Sequence, residues 1–250
     1  MKLVFSSDWH GDVITQGVDR YDEVEEGVME SVKHAIAINA DVYFFGGDLC
    51  DPHTARAHRS VMLAHRVAYV LDAAGIPSYW LVGNHDVIED GSGGHTLMSL
   101  GWSPGAVMPD PQWSLGWSPG AVMSDPQWFT VGTHRDFINV VALPFTPTSR
   151  SYDPVEFIEG LEIDNDSPIL VIGHLNLKGI CAGSETLDMP RGREVFWPTD
   201  AIKAKFPRAI MVGGHYHERQ TYDGVRIIGS TARLTYGEGH HKVGYLELEI

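Results

Sequence analysis

The sequence predicts an α/β protein, and three observations carry that prediction. Through residues 1–90, short apolar runs of strand length alternate with stretches of helical periodicity. Five of the apolar runs end in Asp, Asn or His, four of them directly after glycine. The composition, 43% hydrophobic and 20% charged over 250 residues, is that of a globular chain and excludes disordered, collagen-like and coiled-coil classes.

Lys2–Ser6 reads as the first strand. Tyr21–Asn39 reads as a helix, with Val24, Val28, Val32 and Ile36 forming its apolar stripe. Asp41–Phe45 is a buried strand. Thr54–Ala74 is a second helix carrying Ala57, Val61, Ala64, Ala68 and Leu71, closed by Gly75 with Pro77 beyond it. Pro77–Val82 is the third strand, and the alternation implies βαβ crossovers and a largely parallel sheet. Farther on, Phe137–Leu143, Ile169–Ile172, Ala209–Val212, Val225–Ile228 and Val243–Ile250 read as strands, with Pro154–Glu159 and Asp200–Lys205 as short helices. The expectation is one domain over residues 1–250 whose later part adds a second, more antiparallel sheet.

Ser99–Trp113 (SLGWSPGAVMPDPQW) is followed at once by Ser114–Trp128 (SLGWSPGAVMSDPQW), the two copies differing only at Pro109 and Ser124. One pair is not a solenoid, which needs about three repeats to bury a core. Because lengthening a loop costs only about 0.6 kcal/mol per doubling, the duplication is expected in a surface loop. The alternative is an aromatic platform of Trp102, Trp113, Trp117 and Trp128 at the mouth of a site.

No apolar run approaches the roughly 18 residues of a membrane span. Met1–Phe5 is too short an apolar stretch for a signal peptide. Cys50 and Cys181 do not make a disulfide framework, which fits a reducing cytoplasm, and Cys50 reads as a small packed apolar side chain. Eighteen Lys and Arg against 33 Asp and Glu leave a net charge of −15, which argues against broad binding to phosphate backbones. A metal held by carboxylates and histidines would offset that charge locally, and the chain has 13 histidines.

The strand ends supply such a set. Asp8-Trp9-His10 follows the first run, Gly47-Asp48-Leu49-Cys50-Asp51 the second, and Gly83-Asn84-His85-Asp86 the third. Gly173-His174 and Gly213-Gly214-His215-Tyr216-His217 follow two later runs. In open α/β sheets ligands bind beyond the carboxyl ends of the strands, so these ends can converge. Asp8 with His10, and His215 with His217, would share a side if the extended backbone continued. Asp8, His10, Asp48, Asn84, His174, His215 and His217 mix carboxylate, imidazole and amide without thiolate, a set suited to Mn²⁺, Fe or Zn²⁺. Seven ligands are too many for one tetrahedral ion and enough for two if one carboxylate bridges. Paired ions about 3.5–4 Å apart are the arrangement used in phosphoryl hydrolysis.

In this order, D-x-H, G-D-x-x-D, G-N-H-D, G-H and G-H-x-H resemble the calcineurin-like metallophosphoesterase superfamily, from Asp8 to His217. The resemblance implies a two-sheet sandwich flanked by helices, a four-layer αββα fold. It implies two divalent metal ions, Mn²⁺ foremost, one on Asp8, His10, Asp48 and His217 and the other on Asp48, Asn84, His174 and His215. His85 would face the substrate, paired to an acidic residue at the position of Asp51, and protonate the leaving oxygen or steady the phosphate. Protein Ser/Thr phosphatases differ at Pro52, His53 and Asp86. The tail Ile228–Glu238, and Ser184-Glu185, are similar to SbcD-type DNA exonuclease subunits. That similarity implies a nuclease, with a role in DNA repair, that hydrolyses phosphodiester bonds by a metal-activated hydroxide. Its partners would be DNA, as single strands or ends, and an SbcC-like ATPase. SbcD-type subunits continue into a DNA-capping domain and an ATPase-docking segment, whereas this chain stops at Ile250, so weak DNA affinity is expected. The alternatives are a phosphatase or phosphodiesterase acting on a small phosphoester, or a non-catalytic scaffold. Arg191 and Arg193, between His174 and His215, are candidates for binding phosphate.

Overall fold

Strand β1 (Lys2–Ser6) shows why two layers are needed to cover it: Leu3 and Phe5 face one hydrophobic cluster, Val4 faces another, and all three are fully buried. The computed structural model describes residues 1–88, 90, 92–100, 121–132, 136–146, 151–180 and 195–250. After β1 come a two-stranded hairpin, β2 (Ile14–Thr15) and β3 (Val18–Asp19), and then helix α1 (Tyr21–Ala37). Strand β4 (Val42–Phe45), helix α2 (Ala57–Ala73), β5 (Ser78–Leu81) and β6 (Ala121–Met123) follow. The first sheet has the order β13-β1-β4-β5-β6, where β13 (Leu246–Glu249) lies antiparallel to β1 and the other pairs are parallel.

The second sheet uses β7 (Gln127–Gly132), β8 (Phe137–Leu143), β9 (Ile169–Gly173), β10 (Ile210–Gly213), β11 (Thr221–Tyr222) and β12 (Val225–Ile227) in the order β11-β12-β10-β9-β8-β7. Helix α3 (Pro154–Gly160) joins β8 to β9, and α4 (Thr199–Lys205) lies between β9 and β10. Three hydrophobic clusters separate four layers. Val24, Val28, Val32, Leu63 and Val67 of α1 and α2 pack on Val4, Tyr43 and Phe45. Phe5, Phe44, Val140, Ile172 and Val212 fill the space between the sheets. Ile158 and Ile202 of α3 and α4 cover Val141, Val171 and Val225. This is the αββα sandwich implied by the resemblance.

Several expectations are corrected. The second sheet is parallel at β8–β9, β9–β10 and β10–β12 and antiparallel only at its edge pairs: the first two parallel connections carry helices α3 and α4, as βαβ crossovers do, and the third runs out through the edge strand β11. The last strand joins the first sheet instead of the second. Ile36 is 39% exposed, and its place on the buried stripe is taken by Ala35. Helix α2 begins at Ala57, after a turn at Asp51–Arg56, and ends as predicted, with Gly75 in the left-handed region at φ +74°. The β2–β3 hairpin, turned by Gln16 and Gly17 at φ 50° and 85°, was not among the predicted strands.

The duplication is not wholly a surface loop. Leu100 of the first copy and Val122 and Met123 of the second are buried, and Ala121–Met123 pairs in parallel with β5. Only the first copy continues from Thr96–Met98, and only the second runs on into Phe129–Gly132 of β7, so each supplies the end that the flanking fold can use. Trp128 is 46% exposed on β7, whereas Trp102, Trp113 and Trp117 lie outside the described residues.

Candidate metal centre

The site forms where strands of both sheets end. Beyond β1 and β4 the parallel pairing continues through the loops: the N–H of Asp8 donates to the Gly47 carbonyl at 2.9 Å, that of Trp9 to Asp48 at 2.9 Å and that of Gly11 to Leu49 at 3.2 Å. Asp8, His10, Asp48 and His215 have φ of 52°, 43°, 61° and 81°. They are four of the seven non-glycine residues in the left-handed region among those described. Each such residue costs about 1–2 kcal/mol, so backbone strain is concentrated at the candidate ligands. Asp8 and His10, and His215 and His217, are therefore brought together by turns and not by continued extended chain. Gly47 makes room for this: at φ +103°, a Cβ there would meet His174 Nδ1 at 2.4 Å.

Six of the side chains fall into two groups whose ligand atoms lie within 4.8 Å of one another and could hold a metal ion, Asp8–His10–His217 and Asp48–His174–His215. Asp48 Oδ2 stands 3.2 Å from His174 Nε2 and 3.6 Å from His10 Nε2, so it lies between the groups. Asn84 Oδ1 is 3.1 Å from His174 Nε2 and 3.0 Å from His215 Nδ1. All seven candidate ligands thus come to one place.

The hydrogen bonds around the imidazoles orient three of the rings, each against an outer acceptor. His174 Nδ1 faces the Gly46 carbonyl at 2.7 Å, His215 Nε2 faces Asn176 Oδ1 at 3.0 Å, and His217 Nδ1 faces Glu238 Oε1 at 3.0 Å. Each acceptor calls for an N–H, and when the imidazole is neutral this puts its lone pair on the ring nitrogen turned to the site. Those inner nitrogens face further polar atoms of the site: His215 Nδ1 lies 3.0 Å from Asn84 Oδ1, and His217 Nε2 lies 3.2 Å from His10 Nε2. Acceptors facing one another in a buried pocket are unfavourable unless a proton or a cation sits between them. The donor set, oxygen and imidazole without sulfur, fits a divalent transition metal.

The electrostatics describe the same pocket before loading. Burial and the neighbouring His174 lower His215 to about 3, which keeps its imidazole neutral. Burial also works to lower His174, but the carboxylates of Asp48 and Asp8 outweigh it and raise that imidazole to about 9. Burial raises Asp8 to about 6, while His174, His85 and His10 overcome burial at Asp48 and hold its carboxyl well below the usual range. His174, His215 and Asp48 are buried, and the side chains of His10 and His217 are each 11% exposed, so the pocket opens on the His10–His217 side.

His85 sits at that opening in a one-turn 3-10 segment, Asn84–Asp86. Its N–H donates to Asp48 Oδ1 at 2.8 Å, and its ring lies edge-on to His10 with centroids 5.0 Å apart. The expected pairing with Asp51 is not among the hydrogen bonds or ion pairs of the described residues. Asp51 Oδ1 instead accepts the N–H of His53 at 2.8 Å, because two residues farther on is where an aspartate in a turn finds a donor. Arg191, Arg193, Ser184, Glu185 and Cys181 lie outside the described residues. Cys50 is buried and its thiol is pushed up by burial, as a packed side chain requires.

Three supporting residues escaped the sequence reading. Asp86 accepts the N–H groups of Asp48, Leu49 and Gly83 at 2.9 Å each and the hydroxyl of Thr96 at 2.6 Å, tying the loop after β4 to the loop after β5. Asn176 holds His215, and its position two residues after His174 in an extended run was the available signal. Glu238 is 2% exposed and accepts from both His217 and the N–H of Leu234 at 2.6 Å. Burial would raise the Glu238 carboxyl, and the hydrogen bond and charge of His217 hold it below its ordinary value.

Comparison with known proteins agrees with this architecture. The family model for calcineurin-like phosphoesterases matches residues 1–219. A dimetal phosphatase from Danio rerio superposes with a TM-score of 0.52 at 12% identity, covering 99% of this chain and 91% of that one. A purple acid phosphatase from seeds of yellow lupin (Lupinus luteus) gives 0.54 at 13% identity, covering 99% of this chain and 49% of that one. At such identities the likeness is one of fold. Exonuclease subunit 1 of Enterobacteria phage T4 is 32% identical over 92 residues, a match that takes in 35% of this chain and 26% of that protein. Among the described residues, no helix is long and apolar enough to cross a membrane.

Proposed function

Since the chain belongs to the calcineurin-like phosphoesterase family, we propose that it is a two-metal phosphodiesterase acting on DNA. The observation that carries the chemistry is the meeting of six carboxylate and imidazole donors in two groups, with Asn84 Oδ1 beside the second and Asp48 Oδ2 near His10 and His174. Asp8, His10, Asp48 and His217 hold one divalent ion, and Asp48, Asn84, His174 and His215 the other, with Mn²⁺ the ion of choice. When bound, the ions supply a nucleophile at neutral pH and the positive charge that an in-line displacement at phosphorus requires. His85 is placed at the opening to give a proton to the leaving oxygen, a role that contributes roughly 10²–10⁴-fold. Asp51 shapes the turn through His53 that borders α2.

DNA as substrate is supported by the match to the phage exonuclease subunit and by the likeness of the tail to SbcD-type subunits. The net charge of −15 favours the second reading, a small phosphoester. End-labelled single- and double-stranded DNA, a chromogenic phosphodiester and the matching monoester, each with Mn²⁺-loaded protein over a salt series, separate the two. The DNA reading predicts that single strands are cut faster than blunt duplex. With roughly two or three phosphate contacts, each worth about 0.7 on single strands, the salt dependence is shallow. Rapid hydrolysis of the small diester with no cleavage of DNA at any salt would transfer the function to the small-substrate reading.

A further inference from the structure

Glu238 lies 21 residues beyond His217, past the last of the strand-end motifs, yet it ends up against that imidazole. The chain between them is short of slack. Ser230 donates its N–H to the His217 carbonyl at 3.0 Å, Ala232 and Leu234 are buried against the helix-side core, and the Thr15 hydroxyl donates to the Leu234 carbonyl. The 3-10 segment Tyr236–Glu238 then turns the carboxylate inward, where Oε2 takes the Leu234 N–H and Oε1 takes His217 Nδ1. Tyr236, two residues earlier, is 66% exposed, so this is a surface turn that aims one buried charge at the site.

We propose that Glu238 is a positioning residue for the metal centre: its carboxylate holds His217 as the Nδ1–H tautomer with Nε2 turned toward His10 and Asp8, and strengthens that nitrogen as a donor. The inference rests on the reading of His217 as a metal ligand. A carboxylate behind an imidazole fixes the ring and raises its basicity, and loss of such a partner typically costs 10–100-fold in metal affinity. The other group is supported differently. His174 and His215 lean on a backbone carbonyl and on the Asn176 amide, which are neutral. Negative charge behind an imidazole is therefore confined, among the hydrogen bonds of the described residues, to the Asp8–His10–His217 half.

The test is Mn²⁺ binding to metal-free protein by calorimetry, with the melting temperature recorded without and with metal. Glu238→Ala is expected to weaken one of two ions by about 10–100-fold and leave the other near its wild-type affinity. Glu238→Gln, which can still accept the Nδ1–H, is expected to lose less. Asn176→Ala is expected to weaken the other ion. If Glu238 only holds its own turn, Glu238→Ala would lower the metal-free melting temperature while both ions bind as in the wild type, and the inference would be overturned. Should Glu238→Ala fold poorly, Glu238→Gln carries the comparison, and an affinity equal to wild type in it together with one in a folded Glu238→Asp overturns the proposal. His217→Ala separates this from the underlying reading: if that variant too keeps both ions at full affinity, His217 is not a ligand and the metal assignment itself fails.

Discussion

The two sheets bring different chemistry to one place. Among the candidate ligands, strands of the first sheet end in oxygen donors, Asp8, Asp48 and Asn84, together with the imidazole of His10. Strands of the second end in imidazoles alone, His174, His215 and His217. The supports differ accordingly. Carboxylates need donors, and they receive them: Asp8 takes the N–H of His215 at 3.0 and 3.2 Å, and Asp48 takes that of His85 at 2.8 Å. Imidazole N–H groups need acceptors, and they find the Gly46 carbonyl, Asn176 and Glu238. Each candidate group draws atoms from both sheets, so the geometry of the centre depends on how the two sheets are aligned. The apolar layer between them, with Phe5, Phe44, Ile172 and Val212, sets that alignment.

The comparison breaks most sharply at the residue shared by both groups. Asp48→Ala should lose bound metal and all hydrolysis, because Asp48 Oδ2 is the oxygen near both His10 and His174. His85→Ala removes a side chain of the first sheet that faces the opening and is not placed as a ligand. It should retain metal and lose roughly 10²–10⁴-fold in turnover. Elemental analysis beside steady-state kinetics checks both variants, and equal metal content in the two would contradict the division between ligand and acid.

A much smaller effect is expected where neither set of donors is touched. Deleting Ser114–Trp128 leaves the junction Trp113–Phe129, so Ala106–Met108 can take the place of Ala121–Met123 beside β5 and Gln112-Trp113 the start of β7. Shortening the connection changes its closure entropy by only about 0.6 kcal/mol per doubling of length, so the melting temperature should move by a few degrees. Loss of the cooperative transition would show that the surplus residues are themselves part of the core.

Much of this was legible because the periodicities are local. Lys2–Ser6 and Phe137–Leu143 are strands with the bounds their apolar runs imply, and glycine followed by Asn, Asp or His marks the turn at the end of four of the five site strands. What could not be read depends on distance in the chain. The direction of the second sheet follows from its crossovers, and the pairing of β13 with β1 joins the two ends of the chain. The copies at Ser99–Trp128 are nearly identical, so sequence alone does not say which half of each is built in. Their neighbours Met98 and Phe129 decide it. Asn176 carries no motif of its own, and Glu238 closes the Ile228–Glu238 tail without a local sign of what it faces; both matter because folding sets them behind an imidazole.

Titration of Mn²⁺ into metal-free protein, with hydrolysis of a chromogenic phosphodiester followed at each addition, tests whether the seven donors form a two-metal hydrolytic centre. Two ions are expected to bind per chain, with activity appearing on loading and lost to chelator. Fewer than one transition metal bound per chain, with no phosphoesterase activity at saturating Mn²⁺, would contradict it.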